Sequence, residues 1–309
     1  MRLNYSFGGS SLAGFRSYFT DLARVNRLPE TVGYNLVYFA IGIGLVEKSP
    51  IQLFGDANHQ LGIVFLAVML TKTQASIADV IHDYTIDKAN PEKSHLASAV
   101  DTIGVETLWT MLTVELIGGL AFWAWLSIES GMPFFVFVGA VSSILGFTYS
   151  YPPRLKERGV FNHLVTTGVD VVGVILPVVI VAGGAADGRV VTPLGIVFLY
   201  AFGYHVVHQA ADTAYDRKSG IETFTQSLGV TPSMWLAGCV TVLAAVLAVG
   251  QGYLIAAAGL VIGGLGYVTL AVAVRDGPEA AQCHKIAQWF RIDVWATALN
   301  GAFAVSLFA

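Results

Sequence analysis

The residues with the clearest chemical potential are two sets of aspartates, each spaced by four positions. Asp79, Asp83 and Asp87 form the first set, and Asp212 and Asp216 form the second. In a helix, this spacing places the carboxylates of each set on one face, one turn apart. Like charges at this spacing destabilise an isolated helix, so a compensating cation is expected. Mg²⁺ is the natural candidate, because it takes carboxylate oxygens and leaves positions open for phosphate.

Each acidic set stands at the end of a long apolar stretch and is followed by basic residues. Two such helix ends that face each other could hold two or more Mg²⁺ ions, which would bridge a diphosphate and neutralise its charge as it leaves. The apolar segments beneath would enclose a long hydrocarbon and exclude the water that quenches an allylic carbocation. One set alone would be equally consistent with a solvated helix end, but the pair favours chemistry on an isoprenyl diphosphate.

The elements that must position the aspartates are apolar helices. Hydrophobic residues make up 55% of the 309 residues and charged residues only 12%. Soluble domains carry about twice that charged share, roughly 25%. The composition therefore excludes a disordered chain, a coiled coil and an ordinary soluble enzyme. A net charge of −4, without a basic run, gives no basis for nucleic-acid binding.

A membrane-spanning helix requires about 20 mostly apolar residues, and nine segments approach that length. They cover residues 31–46, 60–82, 105–127, 131–150, 163–184, 190–215, 232–250, 252–275 and 286–308. These segments predict an all-α membrane protein, with about nine transmembrane helices around a central cavity and a cytoplasmic polar cap. Residues 1–309 are expected to form a single domain.

The distribution of basic residues predicts the orientation in the membrane. Of the 17 Lys and Arg residues, thirteen fall on the side of the N-terminus, and two, Lys48 and Arg189, fall on the other side. The positive-inside rule then places the N-terminus and the acidic helix ends in the cytoplasm. Basic and aromatic residues such as Arg16 and Phe19 alternate before the first span. Residues 1–30 are therefore expected to be cytoplasmic and to include an interfacial helix.

The two acidic sets and the segment that follows the second one resemble the UbiA superfamily of intramembrane prenyltransferases. That family has nine transmembrane helices and two aspartate-rich motifs, NxxxDxxxD and DxxxD. The first set matches NxxxDxxxD, with Asp79 in place of the usual Asn, and the second set reads DxxxDRKSGIET, similar to the family's continuation. The stretch YSYPPRLKERG, residues 149–159, is similar to a loop of chlorophyll-synthase-like members. The resemblance covers the whole chain in span number and motif order.

The resemblance implies which residues form the site. Asp83, Asp87, Asp212 and Asp216 would bind Mg²⁺ and the prenyl diphosphate and carry the catalysis, and Asp79 would be a further ligand of metal or substrate. Five basic residues would hold phosphate oxygens: Arg154, Lys156, Arg158, Arg217 and Lys218. Arg suits this task through its fork of donors and Lys through its point charge. The family's Arg-Pro pair after the first motif is absent, and Lys93 is expected to substitute for its cation.

Three ionisable residues inside the spans have alternative interpretations. Lys72 shares the face of Asp79 two turns deeper, and either pairs with Asp79 or the diphosphate, or links to Glu115 of the third span. Asp170 either orients an acceptor hydroxyl and assists its deprotonation, or has a buried structural partner. His205 is expected to make a hydrogen-bonded helix contact. Ionisable groups at membrane depth usually face a bundle interior or a cavity.

Two further residues are expected to contact the substrate. His208 stands one turn before Asp212 and is predicted to form a polar wall of the pocket. Tyr149 would line the prenyl channel or stabilise a cation through its ring face, or serve as an ordinary aromatic anchor at the membrane interface.

The leading functional hypothesis is Mg²⁺-dependent transfer of a prenyl group from an isoprenyl diphosphate to a lipophilic acceptor within the membrane. The chlorophyll-synthase-like loop slightly favours geranylgeranyl diphosphate as donor. Two alternatives remain open: a terpene cyclase that acts on the diphosphate alone, and a cation transporter, which is less favoured because transporters bind ions near the midplane. The expected partners are the diphosphate, the small-molecule acceptor and membrane lipids, with the oligomeric state left open.

Overall fold

The computed structural model describes residues 11–46, 59–91 and 93–309, and all regular secondary structure within these ranges is helical. The helices are α1 (Ser11–Val25), α2 (Leu28–Gly44), α3 (His59–Ala89), α4 (Ser94–Ile103), α5 (Val105–Ser130), α6 (Phe134–Ser150), α7 (Val160–Val181), α8 (Gly188–Lys218), α9 (Phe224–Leu228), α10 (Val230–Gly250), α11 (Leu254–Val274), α12 (Glu279–Trp289) and α13 (Ile292–Phe308). α7 contains one π-helical turn, Gly168–Val172. Residues 1–10 and Lys48, which entered the predicted topology, lie outside the described residues.

Six of the described helices are long and apolar enough to cross a membrane: α3, α5, α7, α8, α10 and α11. Two shorter apolar helices, α6 and α13, have 17 residues each, and α2 has the same length but carries Glu30 in its first turn. The chain is therefore a multi-pass integral membrane protein, and the predicted all-helical class is confirmed. The count of nine spans and the cytoplasmic cap stay predictions.

The long helices pack around one central cavity. α3 packs against α5 and α6, α8 packs against α10 and α12, and α13 lies between α2 and α11. α7 contacts both α2 and α8, and thereby connects the two groups. The cavity wall is formed by α2, α3, α6, α7 and α8, so the helices that carry the two acidic sets face the same space.

Small residues allow α10 and α11 to approach each other closely. A methyl group added at Gly238 or at Gly264 would lie 3.3 Å from the carbonyl oxygen of the other residue. The two backbones therefore meet through these glycines. This is the packing expected in a membrane, where van der Waals contact rather than the hydrophobic effect holds helices together.

Buried hydroxyl and amide groups join α2, α8 and α13. The hydroxyl groups of Tyr38 and Tyr204 are hydrogen-bonded to each other, and the Tyr200 hydroxyl donates to Asn300 Oδ1 at 2.8 Å. In a lipid environment each buried polar group requires an internal partner. Such interhelical bonds contribute on average about 0.6 kcal/mol each in a membrane protein, so their main effect is to fix which helices pair.

The predicted helix before the first span is confirmed as α1. Phe15 and Phe19 are exposed on its surface, and their rings contact each other at a centroid distance of 4.5 Å. The aromatic face points away from the helix bundle, as an interfacial helix requires. Its position at the membrane surface stays a prediction.

Candidate active site

The C-terminal ends of α3 and α8 meet at one cavity of about 250 Å³. Its wall also includes the loops that follow α3, α6 and α8. Nine of the predicted site residues line it: Lys72, Asp79, Asp83, Lys93, Tyr149, Lys156, His208, Asp212 and Asp216. We define the cavity mouth as the end lined by Asp79, Asp83, Asp212 and Asp216. The two acidic sets, which lie far apart in sequence, are therefore brought together.

On α3, the carboxylates at the mouth are neutralised by cations of this chain. Arg27 Nη2 lies 2.8 Å from Asp79 Oδ2, and Ser150 Oγ donates to Asp79 Oδ1 at 2.7 Å. Lys156 pairs with Asp83, and its Nζ lies 3.9 Å from Asp79 Oδ1. These contacts offset the repulsion between carboxylates one turn apart, which an isolated helix would not tolerate well.

On α8, Asp212 accepts a hydrogen bond from Lys93 Nζ at 2.9 Å. Lys93 belongs to the loop between α3 and α4, so this contact joins the two acidic helix ends. Burial alone would lower the pKa of the Lys93 ammonium, but the nearby Asp212 and Asp87 carboxylates raise it overall. Lys93 is therefore a permanent cation between the two sets. Asp216 lines the mouth and has no ion pair within the described part of the chain.

Asp87 occupies a different environment from Asp83. Its side chain is only 3% exposed, and it does not line the cavity. Its Oδ2 atom is buried without a hydrogen-bond partner among the described residues. A buried carboxylate oxygen without a partner is costly, so this oxygen is available to an incoming cation or donor.

Four of the predicted phosphate ligands lie outside the cavity. Arg154 pairs with Glu157 at 2.9 Å, and the Arg158 Nε donates to a backbone carbonyl at 3.0 Å. Arg217 forms two hydrogen bonds with Glu279, at 3.0 and 3.1 Å, and the Lys218 ammonium lies 5.8 Å from the centre of the Tyr215 ring. The structure therefore brings only Lys156 of the five to the cavity, and the other four do not line it.

A second charged cluster lies deeper in the same cavity. Lys72 of α3 pairs with Asp170 Oδ1, and His205 Nε2 of α8 lies 3.0 Å from Asp170 Oδ2. We define these three residues as the cavity floor. The predicted pairing of Lys72 with Asp79 or Glu115 is wrong, because Lys72 pairs instead with Asp170, which lies in the π-helical turn of α7. The predicted buried partner of Asp170 is therefore present. The hydrogen bond predicted for His205 is not, because its Nε2 atom lies near Asp170 without forming a hydrogen bond to any described residue.

A sequence model of the UbiA prenyltransferase family matches residues 36–292. This chain belongs to the UbiA prenyltransferase family. The matched range contains both acidic sets, the 149–159 loop and most of the apolar helices. It does not contain Arg27, although it contains Asp79, with which Arg27 pairs. No curated protein sequence matches the chain significantly.

Solved structures of UbiA proteins have the same fold as this family member. A UbiA homolog from Archaeoglobus fulgidus bound to GPP and Mg²⁺ is 15% identical, with a TM-score of 0.65 over 92% of this chain and 99% of that chain. An apo UbiA homolog from Aeropyrum pernix K1 is also 15% identical, with a TM-score of 0.62 over 89% and 96%. A structure described for digeranylgeranylglyceryl phosphate synthase in membranes is 16% identical, with a TM-score of 0.61 over 94% and 99%. At these identities the similarity establishes the fold alone.

The donor set at the mouth of this UbiA protein is chemically suited to Mg²⁺. Within the described ranges, no group of three or more His, Cys, Asp or Glu residues is arranged to hold a metal ion. Mg²⁺ does not require such a cage, because it is usually bound by one or two carboxylates together with waters and substrate phosphates. Asp216 faces the cavity from α8, and Asp87 carries a buried oxygen without a partner. The arrangement therefore fits a metal that arrives with its phosphate ligand.

Arg27 is a cavity residue that the sequence interpretation missed. It follows the interfacial stretch that contains Arg16, and it lines the cavity together with the mouth aspartates. The backbone at Arg27 adopts a left-handed conformation, with φ of 47° and ψ of 40°, between α1 and α2. Burial alone would lower the pKa of its guanidinium, but Asp79 and the other nearby carboxylates raise it overall. In the sequence, only its position directly before an apolar helix distinguishes Arg27 from other basic residues of the N-terminal stretch.

A buried hydrogen-bond network supports the loop that follows Asp216. Gln209 Oε1 lies 3.0 Å from His163 Nε2 and accepts a hydrogen bond from the backbone amide of Thr225 at 3.3 Å. The hydroxyl groups of Thr213 and Thr225 are 2.9 Å apart. These contacts tie α7, α8 and the start of α9 together. The spacing of the acidic residues did not indicate this network.

Proposed function

We propose that this UbiA family member catalyses Mg²⁺-dependent transfer of a prenyl group from an isoprenyl diphosphate to a lipophilic acceptor in the membrane. The observation that supports the proposal most directly is the meeting of two acidic helix ends and three internal cations in one cavity. A bound diphosphate requires positive charge around it. The carboxylates would repel the diphosphate unless a metal ion neutralised them. A UbiA homolog of the same fold has been solved with GPP and Mg²⁺, which agrees with this chemistry.

In this proposal Asp83, Asp212 and Asp216 hold Mg²⁺, with Asp79 as a further oxygen donor, and Asp87 supports the site indirectly because it is buried outside the cavity lining. Mg²⁺ would supply positive charge to the diphosphate as the bond to the allylic carbon breaks. Since only one or two carboxylates bind each ion directly, the remaining acids keep the basic residues in position.

The basic residues at the mouth would then exchange partners. Lys93 and Lys156 are paired with Asp212 and Asp83, and Arg27 is paired with Asp79. When metal ions take over the carboxylates, these three cations become free to bind the oxygens of the diphosphate. This exchange would accompany binding, so the cations would already be in place when the bond to the allylic carbon breaks, where positioned charge stabilises the leaving group.

The part of the cavity between the mouth and the floor would hold the prenyl chain and exclude water. Tyr149 and His208 line the wall below the mouth, where an aromatic ring can stabilise an allylic cation. Arg154, Arg158, Arg217 and Lys218 lie around the mouth, and we assign them a weaker role: they raise the positive potential that attracts the anionic donor. In this proposal the mouth faces the cytoplasm and residues 1–309 form one domain.

The test is a product assay with purified protein in lipid nanodiscs. Wild-type protein is incubated with geranylgeranyl diphosphate, Mg²⁺ and a membrane lipid extract, and products are identified by mass spectrometry. Asp83→Asn and Asp212→Asn are expected to lower the rate about 100-fold or more. The matched control is Asp101→Asn, since Asp101 is exposed and pairs with Lys88 at 3.3 Å outside the cavity.

Each alternative activity gives a distinct outcome in this assay. A cyclised hydrocarbon that forms without any acceptor would replace transferase with terpene cyclase. Folded protein that releases no diphosphate from donors of several lengths would contradict both activities, and metal flux in liposomes would then identify a transporter.

A further inference from the structure

The floor of the cavity carries a charged cluster that the diphosphate chemistry does not require. Lys72, Asp170 and His205 come from three different helices and meet through the Asp170 carboxylate. Their side chains are 11%, 10% and 10% exposed, respectively. None of them belongs to the acidic sets or to the loop of residues 149–159. All three line the same cavity as the mouth aspartates.

The cluster lies well below the mouth. Lys72 precedes Asp79 by seven residues and Asp83 by eleven on the same helix, which corresponds to about 10 and 16 Å along the axis at 1.5 Å per residue. Beyond Lys72 and Thr71, a second space of only about 10 Å³ continues towards Trp123. That volume is close to the minimum that holds one water molecule. The cluster therefore forms the inner end of the substrate cavity.

A hydrocarbon is a poor partner for this floor. A Lys ammonium has three donors, and Asp170 is the only hydrogen-bond partner of Lys72 Nζ within the described residues. A prenyl chain packed against it would remove water from the remaining donors and offer no acceptor in return, which is unfavourable at membrane depth. An oxygen atom of the substrate would satisfy these donors.

The charge of the floor differs from that of the mouth. The ammonium of Lys72 and the carboxylate of Asp170 cancel, so the cluster offers hydrogen-bond donors and an acceptor without an excess of positive charge. The mouth instead gathers Arg27, Lys93 and Lys156, as an anionic group requires. A neutral oxygen fits the floor, whereas a phosphate fits the mouth.

We infer that the cavity floor binds an uncharged oxygen of the acceptor, and that the acceptor is a neutral lipid with a hydroxyl, phenol or quinone-type oxygen. This inference rests on the proposed prenyl transfer. With the donor held by its diphosphate at the mouth and the acceptor held by its oxygen at the floor, the reacting carbons lie between the two. Such two-point positioning is what converts binding into a higher reaction rate.

The chemical class of the acceptor is tested with fractionated lipids. A membrane lipid extract is separated into neutral oxygen-containing lipids, hydrocarbons and anionic phosphate lipids, and each pool is incubated with wild-type protein, geranylgeranyl diphosphate and Mg²⁺. Prenylated product is expected from the neutral oxygen-containing pool. Product from the hydrocarbon or the anionic pool alone would overturn the inference and leave prenyl transfer intact. No diphosphate release with any pool would overturn the proposed function and this inference with it.

The role of the floor is tested with a double variant, Lys72→Met/Asp170→Leu. Replacing both partners of a buried ion pair by apolar residues usually leaves a protein folded, so thermal stability should be retained. The matched control is Lys88→Met/Asp101→Leu, which removes an exposed pair at the end of the same helix. Binding of a non-cleavable thiolo analogue of geranylgeranyl diphosphate should be unchanged in both.

The KM for the acceptor and kcat are measured separately, with the lipid pool that gives prenylated product as the acceptor. The floor variant is expected to raise the KM for the acceptor by about tenfold or more, the effect of losing one hydrogen-bonded polar contact, and the control to leave it unchanged. An unchanged acceptor KM in the folded floor variant would show that the cluster only crosslinks α3, α7 and α8. If the floor variant instead lost affinity for the thiolo analogue by a similar factor, the floor would hold the donor rather than the acceptor.

Discussion

Lys93 and Asp212 join the two acidic helix ends across the cavity mouth. The Lys93 Nζ atom lies 2.9 Å from Asp212 Oδ2, although 119 positions separate the two residues in the sequence. The lysine side chain is 27% exposed and the aspartate side chain 19%, so the pair is screened only in part by solvent. A cation in this position lies between both sets of carboxylates, where a diphosphate would also have to bind.

We predict that Lys93→Gln weakens donor binding more than it weakens the fold. The substitution removes a charge-assisted hydrogen bond to the diphosphate, which contributes about 1.5–3 kcal/mol, or roughly a 10- to 150-fold increase in Kd. The measurement is a titration with the thiolo analogue of geranylgeranyl diphosphate in the presence of Mg²⁺. Lys93→Arg keeps the charge and should retain most of the affinity. Equal Kd values for wild type and Lys93→Gln would contradict a role of this cation in donor binding.

The aspartates of the first set are predicted to be unequal. Asp83 lines the cavity and pairs with Lys156, whereas Asp87 is buried outside its lining. We expect Asp83→Asn to lower kcat by about 100-fold and Asp87→Asn by less than about tenfold, a cost below about 1.4 kcal/mol. Single-turnover rates at saturating Mg²⁺ measure both. If the two variants lose the same activity, Asp87 must turn into the cavity when metal and substrate bind.

Arg27 is predicted to couple the N-terminal helix to the mouth. Its pair with Asp79 spans 52 positions and lies in the elbow between α1 and α2. Removing one partner of a buried pair costs about 3–5 kcal/mol, and the 22% exposure of the arginine side chain reduces this to roughly 1–3 kcal/mol by partial solvation. Arg27→Met should therefore lower both the Tm in detergent and the affinity for the donor analogue.

The control for this prediction is Arg24→Met. Arg24 pairs with Asp21 within α1 at 2.9 Å, and the two side chains are 45% and 7% exposed, respectively. Its loss leaves the buried Asp21 carboxylate without its cation, so the Tm should fall, but binding of the donor analogue should stay unchanged because neither residue lines the cavity. A normal Tm and Kd in Arg27→Met would show that Asp79 needs only Ser150 and Lys156.

The helical class and the helical face of each acidic set could be predicted because both are local in sequence. Spacing by four fixes a helical face, and apolar length fixes a span. The partners of each charge could not be predicted in this way, since they depend on which helices pack together. Arg217 illustrates this: motif similarity assigned it to phosphate, but its guanidinium binds Glu279, 62 positions away. Asp170, the partner of Lys72, lies in a π-helical turn of α7, which no sequence pattern indicated.

Arg217, one of the four predicted phosphate ligands that do not line the cavity, provides a further prediction. Arg217→Gln removes an exposed pair with Glu279, and exposed pairs contribute about 0–1 kcal/mol. We expect the Tm and kcat to stay near the wild-type values, and the on-rate of the donor to fall slightly at low salt. Stopped-flow binding at two ionic strengths measures this effect. A large loss of kcat would instead place Arg217 on the diphosphate during the reaction.

Gln209 is predicted to hold the second acidic set in its active position. Its side-chain oxygen lies between His163 Nε2 and the Thr225 amide, so Gln209→Leu leaves two buried polar groups without a partner. Each such group costs about 1–3 kcal/mol, and the Tm should fall accordingly. Because the network fixes α8 one turn below Asp212, kcat should also fall, while the acceptor KM changes little. Gln288→Leu, which alters an exposed contact with His284 at 2.8 Å, should change neither quantity. A Gln209→Leu protein with a lower Tm but a normal kcat would show that the network only stabilises the fold, because the aspartates would keep their positions without it.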